Sequence, residues 1–214
     1  MENMKIYWNH IMRNDYKMLA KDFNKLLSKF PNGKQFIGKI PRGRFYLVDY
    51  KINHQMFSSG SGNITICNNT NNSLSIVAFD EFVTSNRKNP SGCDYLISRN
   101  DCSDFVVLCE LKDIRLDYLD KANCTAKNQL INSFDLLSSM DIIHNYSFVF
   151  GVMGVKLKNS NDNIQHSYKT FTQHSYSVPL KVKKMLKEHG FTDVFTDFRV
   201  RNNIPFVFAL YHKI

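Results

Sequence analysis

Two stretches, CDYLI at residues 93–97 and FVVLCELK at residues 105–112, decide the fold class of this chain. Each is a compact apolar run with an acidic residue embedded in it, which is typical of central β-strands that are buried on both faces. A turn through residues 99–101 would let the two strands lie side by side as a hairpin. The middle of the chain therefore predicts the centre of a β-sheet.

The flanking sequence predicts helices and further strands around this centre. Apolar residues at helical spacing or Pro and Gly boundaries predict three helices: Asn9 to Phe30, Ala122 to Leu137 and Pro179 to His189. β-branched and aromatic runs between turn-prone clusters predict further strands, at least partly antiparallel: Gln35 to Ile40, Arg44 to Ile52, Asn63 to Cys67, Leu74 to Phe79, Ser147 to Leu157 and Ile204 to Tyr211. The expected fold class is mixed α/β in one domain, with a helix and strand extension at 1–73 and a core at 74–214.

Charged residues inside the apolar runs point to chemistry. Glu110 and Lys112 are two residues apart, so their side chains share one face of the strand, with the Leu111 carbonyl between them. A buried charge is costly unless a partner or a metal compensates it. If the two runs pair, Asp94 joins the same pocket. Two carboxylates and a carbonyl are hard oxygen ligands that suit Mg²⁺ or Mn²⁺.

Asp94, the triplet Glu110-Leu111-Lys112 and a following helix with Gln129 resemble the PD-(D/E)xK nuclease superfamily. The resemblance implies a restriction-endonuclease-like core: a mixed central sheet flanked by helices in the order α-β-β-β-α-β. It also implies that Asp94, Glu110 and the Leu111 carbonyl hold the metal, and that Lys112 orients or activates the attacking water. Gln129 corresponds to a catalytic-site glutamine near the substrate phosphate in some branches. Motif-level similarity covers residues 74–157.

The sequence departs from the family pattern at two positions. Cys93 precedes Asp94 where proline is usual, and Ser133 follows Gln129 by four residues where some branches have tyrosine. Other candidates stay open. Asp80 and Glu81 are interpreted either as a further ligand or as carboxylates at the start of a loop, and His144 either as a general base or as a structural histidine.

Composition sets the wider context. The chain is 43% hydrophobic and 22% charged, which is typical of a folded globular protein, and its net charge of +9 favours a polyanionic partner, nucleic acid first. Five cysteines without a CxxC pair indicate packing in a reducing compartment rather than disulfides or zinc. With no signal peptide or membrane-spanning stretch in this sequence, we expect a cytoplasmic location and no membrane partner.

The sequence therefore predicts a Mg²⁺- or Mn²⁺-dependent nuclease that hydrolyses nucleic acid, with DNA favoured over RNA. A restriction or anti-phage role follows from the resemblance alone. The chain has no GxxxxGK[ST] motif, so any energy-driven step would need a partner ATPase or helicase subunit, and an oligomer is also compatible. Two alternatives remain: a nucleic-acid-binding or assembly subunit that is inactive without its partner, and a basic interaction module with no metal.

Overall fold

A mixed central sheet organises the part of the chain that the computed structural model describes. The fold class predicted from the sequence, mixed α/β, is confirmed at this level. The helices predicted at residues 9–30 and 179–189 lie outside the described residues, which are 35–53, 55–68, 74–85, 92–99, 105–158, 195–201 and 204–212.

The described strands, in chain order, are β1 Ile37–Ile40, β2 Gly43–Leu47, β3 Phe57–Ser58, β4 Ile64–Asn68, β5 Leu74–Ala78, β6 Tyr95–Arg99, β7 Phe105–Ile114, β8 Phe148–Leu157, β9 Phe195–Arg201 and β10 Ile204–His212. Seven of them form one sheet in the order β1-β5-β6-β7-β8-β10-β9. The pairs β7–β8 and β8–β10 are parallel, and the other neighbours are antiparallel. Strand β7 therefore lies where the sheet changes from antiparallel to parallel.

The two faces of the β7–β8 region are covered by different elements. Helix α3, Leu119–Ser139, contacts β7 and β8 on the face that bears Glu110 and Lys112. A second sheet in the order β3-β2-β4 covers the opposite face, where the Asn63 side-chain amide donates to Asp113 Oδ1 at 2.6 Å. A Cβ at Gly154 would lie 2.2 Å from Ile64 Cγ1, so glycine is required for this close approach between the sheets.

The segment predicted as a strand from Arg44 to Ile52 is only partly one. Strand β2 ends at Leu47, and residues Tyr50–Asn53 form a single helical turn, α1. The Asp49 carboxylate accepts a hydrogen bond from the Lys51 N–H at 2.9 Å, which is the contact of a helix N-cap. A local cap therefore overrides the β-branched and aromatic composition of this segment.

Two further differences concern strand boundaries. The apolar run that begins at Cys93 becomes a strand only from Tyr95 to Arg99. Asp94 therefore lies just before β6 rather than inside it. The sequence pattern does not predict strand β9, because its apolar residues Phe195, Phe198 and Val200 do not alternate strictly with polar ones. The register between β9 and β10 shifts between Phe208 and Ala209, and such a bulge breaks the alternation from which a strand is recognised.

Candidate active site

Strand β7 brings a carboxylate and an ammonium together on its α3 face. The run Val106 to Cys109 is buried in the sheet core, and Glu110 continues it with only 2% of its surface exposed. The Lys112 ammonium, on a side chain that is 20% exposed, donates a hydrogen bond to Glu110 Oε1. Strand β7 continues two residues past Lys112 to Ile114, so this pair lies within the strand.

Asp94 joins Glu110 because of the β6–β7 register. The described ladder ends with Tyr95 paired to Cys109, so the next residues on either side, Asp94 and Glu110, are brought close enough for the charge of Asp94 to act on Glu110. Its Oδ2 accepts a hydrogen bond from the Leu111 N–H at 2.6 Å. Its backbone carbonyl accepts one from the Phe79 N–H at 2.8 Å, at the start of helix α2, Phe79–Thr84. The predicted antiparallel pairing of the two runs is confirmed, and it brings the two carboxylates together, whereas most of the predicted turn lies outside the described residues.

Helix α3 supplies the fourth predicted site residue. Gln129 Oε1 accepts a hydrogen bond from Lys112 Nζ at 2.9 Å, so the lysine bridges Glu110 and the helix. One turn later the buried Ser133 hydroxyl donates to the Gln129 carbonyl at 2.8 Å and accepts from the Cys93 N–H at 2.6 Å. Ser133 thus links the helix to the residue before Asp94. The sequence alone does not predict this link, because Ser133 stands out there only as the position where some branches have tyrosine.

Burial and mutual repulsion change the titration of both carboxyl groups. Burial raises the pKa of Asp94 to about 6, although the Leu111 N–H and the Lys112 ammonium act in the opposite direction. Burial also raises the pKa of Glu110 to about 8, and the negative charge of Asp94 adds to that rise. Two acids that face each other in a dry environment cannot both ionise cheaply without more positive charge than Lys112 provides.

The donor set of this site fits a hard divalent cation. Glu110 Oε2 is buried and accepts no hydrogen bond from any residue that the structure describes, so one carboxylate oxygen lacks a donor there. The Leu111 N–H points to Asp94, and because a strand residue presents its N–H and C=O to the same side, the Leu111 carbonyl faces this edge too. A cation held there would compensate both acids and satisfy the unpaired oxygen.

The side chains alone do not make a complete metal site. Across the residues that the structure describes, no group of three or more His, Cys, Asp or Glu side chains is arranged to hold a metal ion. A Mg²⁺ ion usually keeps several waters and needs only one or two protein carboxylates, completed by substrate oxygens. Asp94, Glu110 and the Leu111 carbonyl match that smaller requirement.

A second group of acids lies beside the site. Asp80 and Glu81 occupy the first turn of α2 rather than the start of a loop, and the charge of Asp80 contributes to raising the pKa of both Asp94 and Glu110. Lys51 Nζ lies 2.7 Å from Asp80 Oδ2 and 3.6 Å from Glu81 Oε1. Lys51 was not singled out from the sequence, because residues 44–52 read as a strand. If Asp80 were a metal ligand, the metal would need the position beside its carboxylate that the Lys51 ammonium occupies.

The remaining sequence candidates fall elsewhere. His144 Nε2 lies 3.3 Å from the Ser138 hydroxyl at the far end of α3, away from the carboxylates. Cys93 and Cys109 are buried, as expected for packing, and burial raises the pKa of both thiols, which keeps them protonated and unreactive. Among the described cysteines none forms a disulfide.

No family model, curated protein or solved structure matches this chain. The helices within the described ranges include none that is long and apolar enough to span a membrane.

Proposed function

We propose that this protein is a metal-dependent nuclease that hydrolyses phosphodiester bonds, with Asp94, Glu110 and Lys112 as its catalytic residues and Gln129 beside them. The convergence of these side chains at the β6–β7 junction is the observation on which the proposal depends. Strands β5, β6 and β7, helix α3 and strand β8 follow one another in the order that the motif implies, with the short helix α2 between β5 and β6. That agreement supports the proposal.

The position of each residue determines its proposed role in hydrolysis. Asp94, Glu110 and the Leu111 carbonyl would hold Mg²⁺ or Mn²⁺, as the resemblance implies. When bound, such a cation withdraws charge from the phosphate oxygens and favours ionisation of a neighbouring water. Lys112, fixed between Glu110 and Gln129, presents an ammonium that orients the attacking water and stabilises the hydroxide as it forms. The net charge of +9 favours association with the anionic backbone.

We favour DNA as the substrate and the cytoplasm as the location, in line with the basic charge and the free described cysteines. By analogy with small nucleases of similar motif, a restriction or anti-phage system is the proposed setting. These assignments are secondary to the hydrolytic chemistry, and the cleavage experiment tests that chemistry directly.

The test is a cleavage panel. Purified protein is incubated with plasmid, linear duplex, single-stranded DNA and RNA, each with Mg²⁺, with Mn²⁺ or with EDTA. We expect metal-dependent cleavage that falls by about 10²- to 10⁴-fold in Lys112→Ala, since a positioned proton-transfer group contributes that much. Glu110→Ala should lose activity to background. Lys39→Ala is the matched control, because Lys39 is an exposed lysine on β1, three strands from β7. Full activity in Lys112→Ala would refute the assignment.

A second candidate function is a subunit with the same architecture that stays inactive until a partner, such as an ATPase or helicase, arrives. The favouring observation is that Lys112 already binds Glu110 Oε1, so only Oε2 of this carboxylate is left for a metal. A silent panel that becomes active when the partner chain is added would support this candidate. Activity of the isolated protein would exclude it.

A further inference from the structure

A groove of about 410 Å³ opens beside the catalytic lysine. It lies between the C-terminal end of β7 and the first two turns of α3, and Lys112 forms part of its wall. The same side chain therefore contacts Glu110 and Gln129 on one side and borders this groove on the other. Whatever occupies the groove lies next to the site of hydrolysis.

The groove has more positive than negative charge. Besides Lys112, it is lined by Arg115, Lys121 and Lys158, with Asp113 as its acid. The Asp113 carboxylate is satisfied by the Asn63 amide. Arg115 pairs with Asp117 at 3.1 Å, just as Lys112 pairs with Glu110.

The other two cations have a different status. Within the described ranges, the ammonium groups of Lys121 and Lys158 form no ion pair or hydrogen bond with a side chain. Both side chains belong to exposed residues. They are two positive charges at one groove that a polyanion could neutralise, and phosphate groups of a nucleic-acid backbone have the matching chemistry.

An exposed aromatic ring lies at the same groove. Tyr118 is 53% exposed and is the one large hydrophobic side chain exposed to this degree among the residues that the structure describes. The Arg115 guanidinium lies 5.9 Å from the centre of its ring, which is within the range of a cation–π contact that steadies the ring. Unpaired bases stack on such rings, whereas the bases of a duplex are already stacked on each other.

We infer that this groove binds an unpaired stretch of nucleic acid, with its phosphates on Lys121 and Lys158 and a base stacked on Tyr118. The inference rests on the proposed function, and it narrows the substrate class to strands with a single-stranded segment, such as an end, a flap or an opened duplex. Lys112 borders the groove, so the bound strand passes directly beside the catalytic pocket.

Binding without cleavage tests this inference separately from the nuclease activity. Fluorescence anisotropy in EDTA measures the affinity of the purified protein for labelled 20-nucleotide single-stranded DNA, single-stranded RNA and a 20-base-pair duplex at several salt concentrations. We expect Tyr118→Ala to weaken single-strand binding by roughly 5- to 150-fold and to leave duplex binding nearly unchanged. Tyr118→Phe keeps the ring and should bind like the wild type.

The lysine pair gives an independent readout. For single strands, the plot of log affinity against log salt should become shallower by about 1.4 in Lys121→Ser/Lys158→Ser, because each lost phosphate contact reduces its slope by about 0.7. Lys39→Ser removes one positive charge on β1, three strands from β7 and level with Val106 rather than with the groove, and should leave the slope closer to that of the wild type. The DNA and RNA arms show which sugar the groove accepts.

Three results would overturn the inference: single-strand affinity unchanged in Tyr118→Ala, an equal loss of duplex and single-strand affinity in that variant, or an unchanged salt slope in the lysine double variant. Thermal melting of each variant confirms that the exposed substitutions leave the fold intact. If the cleavage panel is silent while these binding effects hold, the nuclease proposal fails and the groove stands. If cleavage occurs without these binding effects, the nuclease proposal stands and the groove proposal fails.

Discussion

Two acid–base pairs with the same spacing lie five residues apart in this chain, and they differ in almost everything else. Glu110 and Lys112 are 2% and 20% exposed, whereas Arg115 and Asp117 are 60% and 55% exposed. The first pair faces a second carboxylate, Asp94, and leaves one buried oxygen, Glu110 Oε2, without a hydrogen-bond partner in the described part of the chain. The second is an ordinary surface ion pair. Burial, rather than residue type or spacing, distinguishes a candidate catalytic pair from a solvated one.

The largest expected effect on stability comes from removing the buried acid. The folded state holds the proton of Glu110 up to about pH 8, whereas the unfolded chain releases it near pH 4.5. Because the folded state binds more protons across this window, the free energy of unfolding falls as pH rises through it. In EDTA, Glu110→Gln should make the free energy of unfolding depend less on pH. The decrease between pH 4.5 and pH 8 should be smaller than in the wild type by on the order of a few kcal/mol.

Urea unfolding of the metal-free protein between pH 4.5 and pH 8.5 measures this difference. Asp117→Asn is the matched control, since it removes an exposed carboxylate with the same spacing from its partner, and its pH profile should follow that of the wild type. If Glu110→Gln and Asp117→Asn gave the same profile, the contrast between the two pairs would be wrong.

Metal binding should give the next largest effect. A cation that binds only the folded state stabilises it by about 2.7 kcal/mol at one hundred times its dissociation constant. We expect Mn²⁺ to raise the melting temperature of the wild type and of Asp117→Asn. In Asp94→Asn the rise should disappear, because one of the two carboxylates at the proposed site is gone. A Mn²⁺-dependent rise that survives in Asp94→Asn would place the metal elsewhere.

The smallest effect should come from the exposed pair itself. Arg115→Ala, Asp117→Ala and the double variant form a thermodynamic cycle that isolates the coupling energy between the two side chains. Because both groups are more than half exposed, we expect about 0–1 kcal/mol of coupling, and less of it in high salt. A coupling of several kcal/mol would show that the surface pair resembles the buried one after all.

The sequence predicts the central part of this fold well because its strands are mostly apolar. The runs that became β5, β6, β7 and β8 are bounded by turn-prone residues, and their burial on both faces produces an unambiguous pattern. The helix predicted from Ala122 to Leu137 extends in the structure from Leu119 to Ser139. The sequence prediction is wrong where local backbone structure overrides the residue pattern. The Asp49 cap starts helix α1 inside a segment predicted as a strand, and the bulge between β9 and β10 interrupts the alternation by which β9 would be recognised.

The site was predictable to the extent that it depends on strand alternation. Glu110 and Lys112 share a face by their spacing, and Asp94 follows once the two strands pair. The contact from Lys112 to Gln129 could be anticipated only from the motif, because it depends on how α3 packs across β7. Lys51 and the linking role of Ser133 were not predictable, since each acts through residues distant in sequence, at Asp80 and Cys93.

The chain segment that builds the site has a bearing on the order of folding. Asp94, Glu110, Lys112 and Gln129 all lie within one continuous stretch, and β6 and β7 pair as neighbours along the chain. The parallel pairing of β8 with β10 instead joins segments separated by a much longer stretch of chain. Closing a short loop loses less entropy than closing a long one, so the hairpin that aligns the carboxylates can form during synthesis, before β10 has left the ribosome.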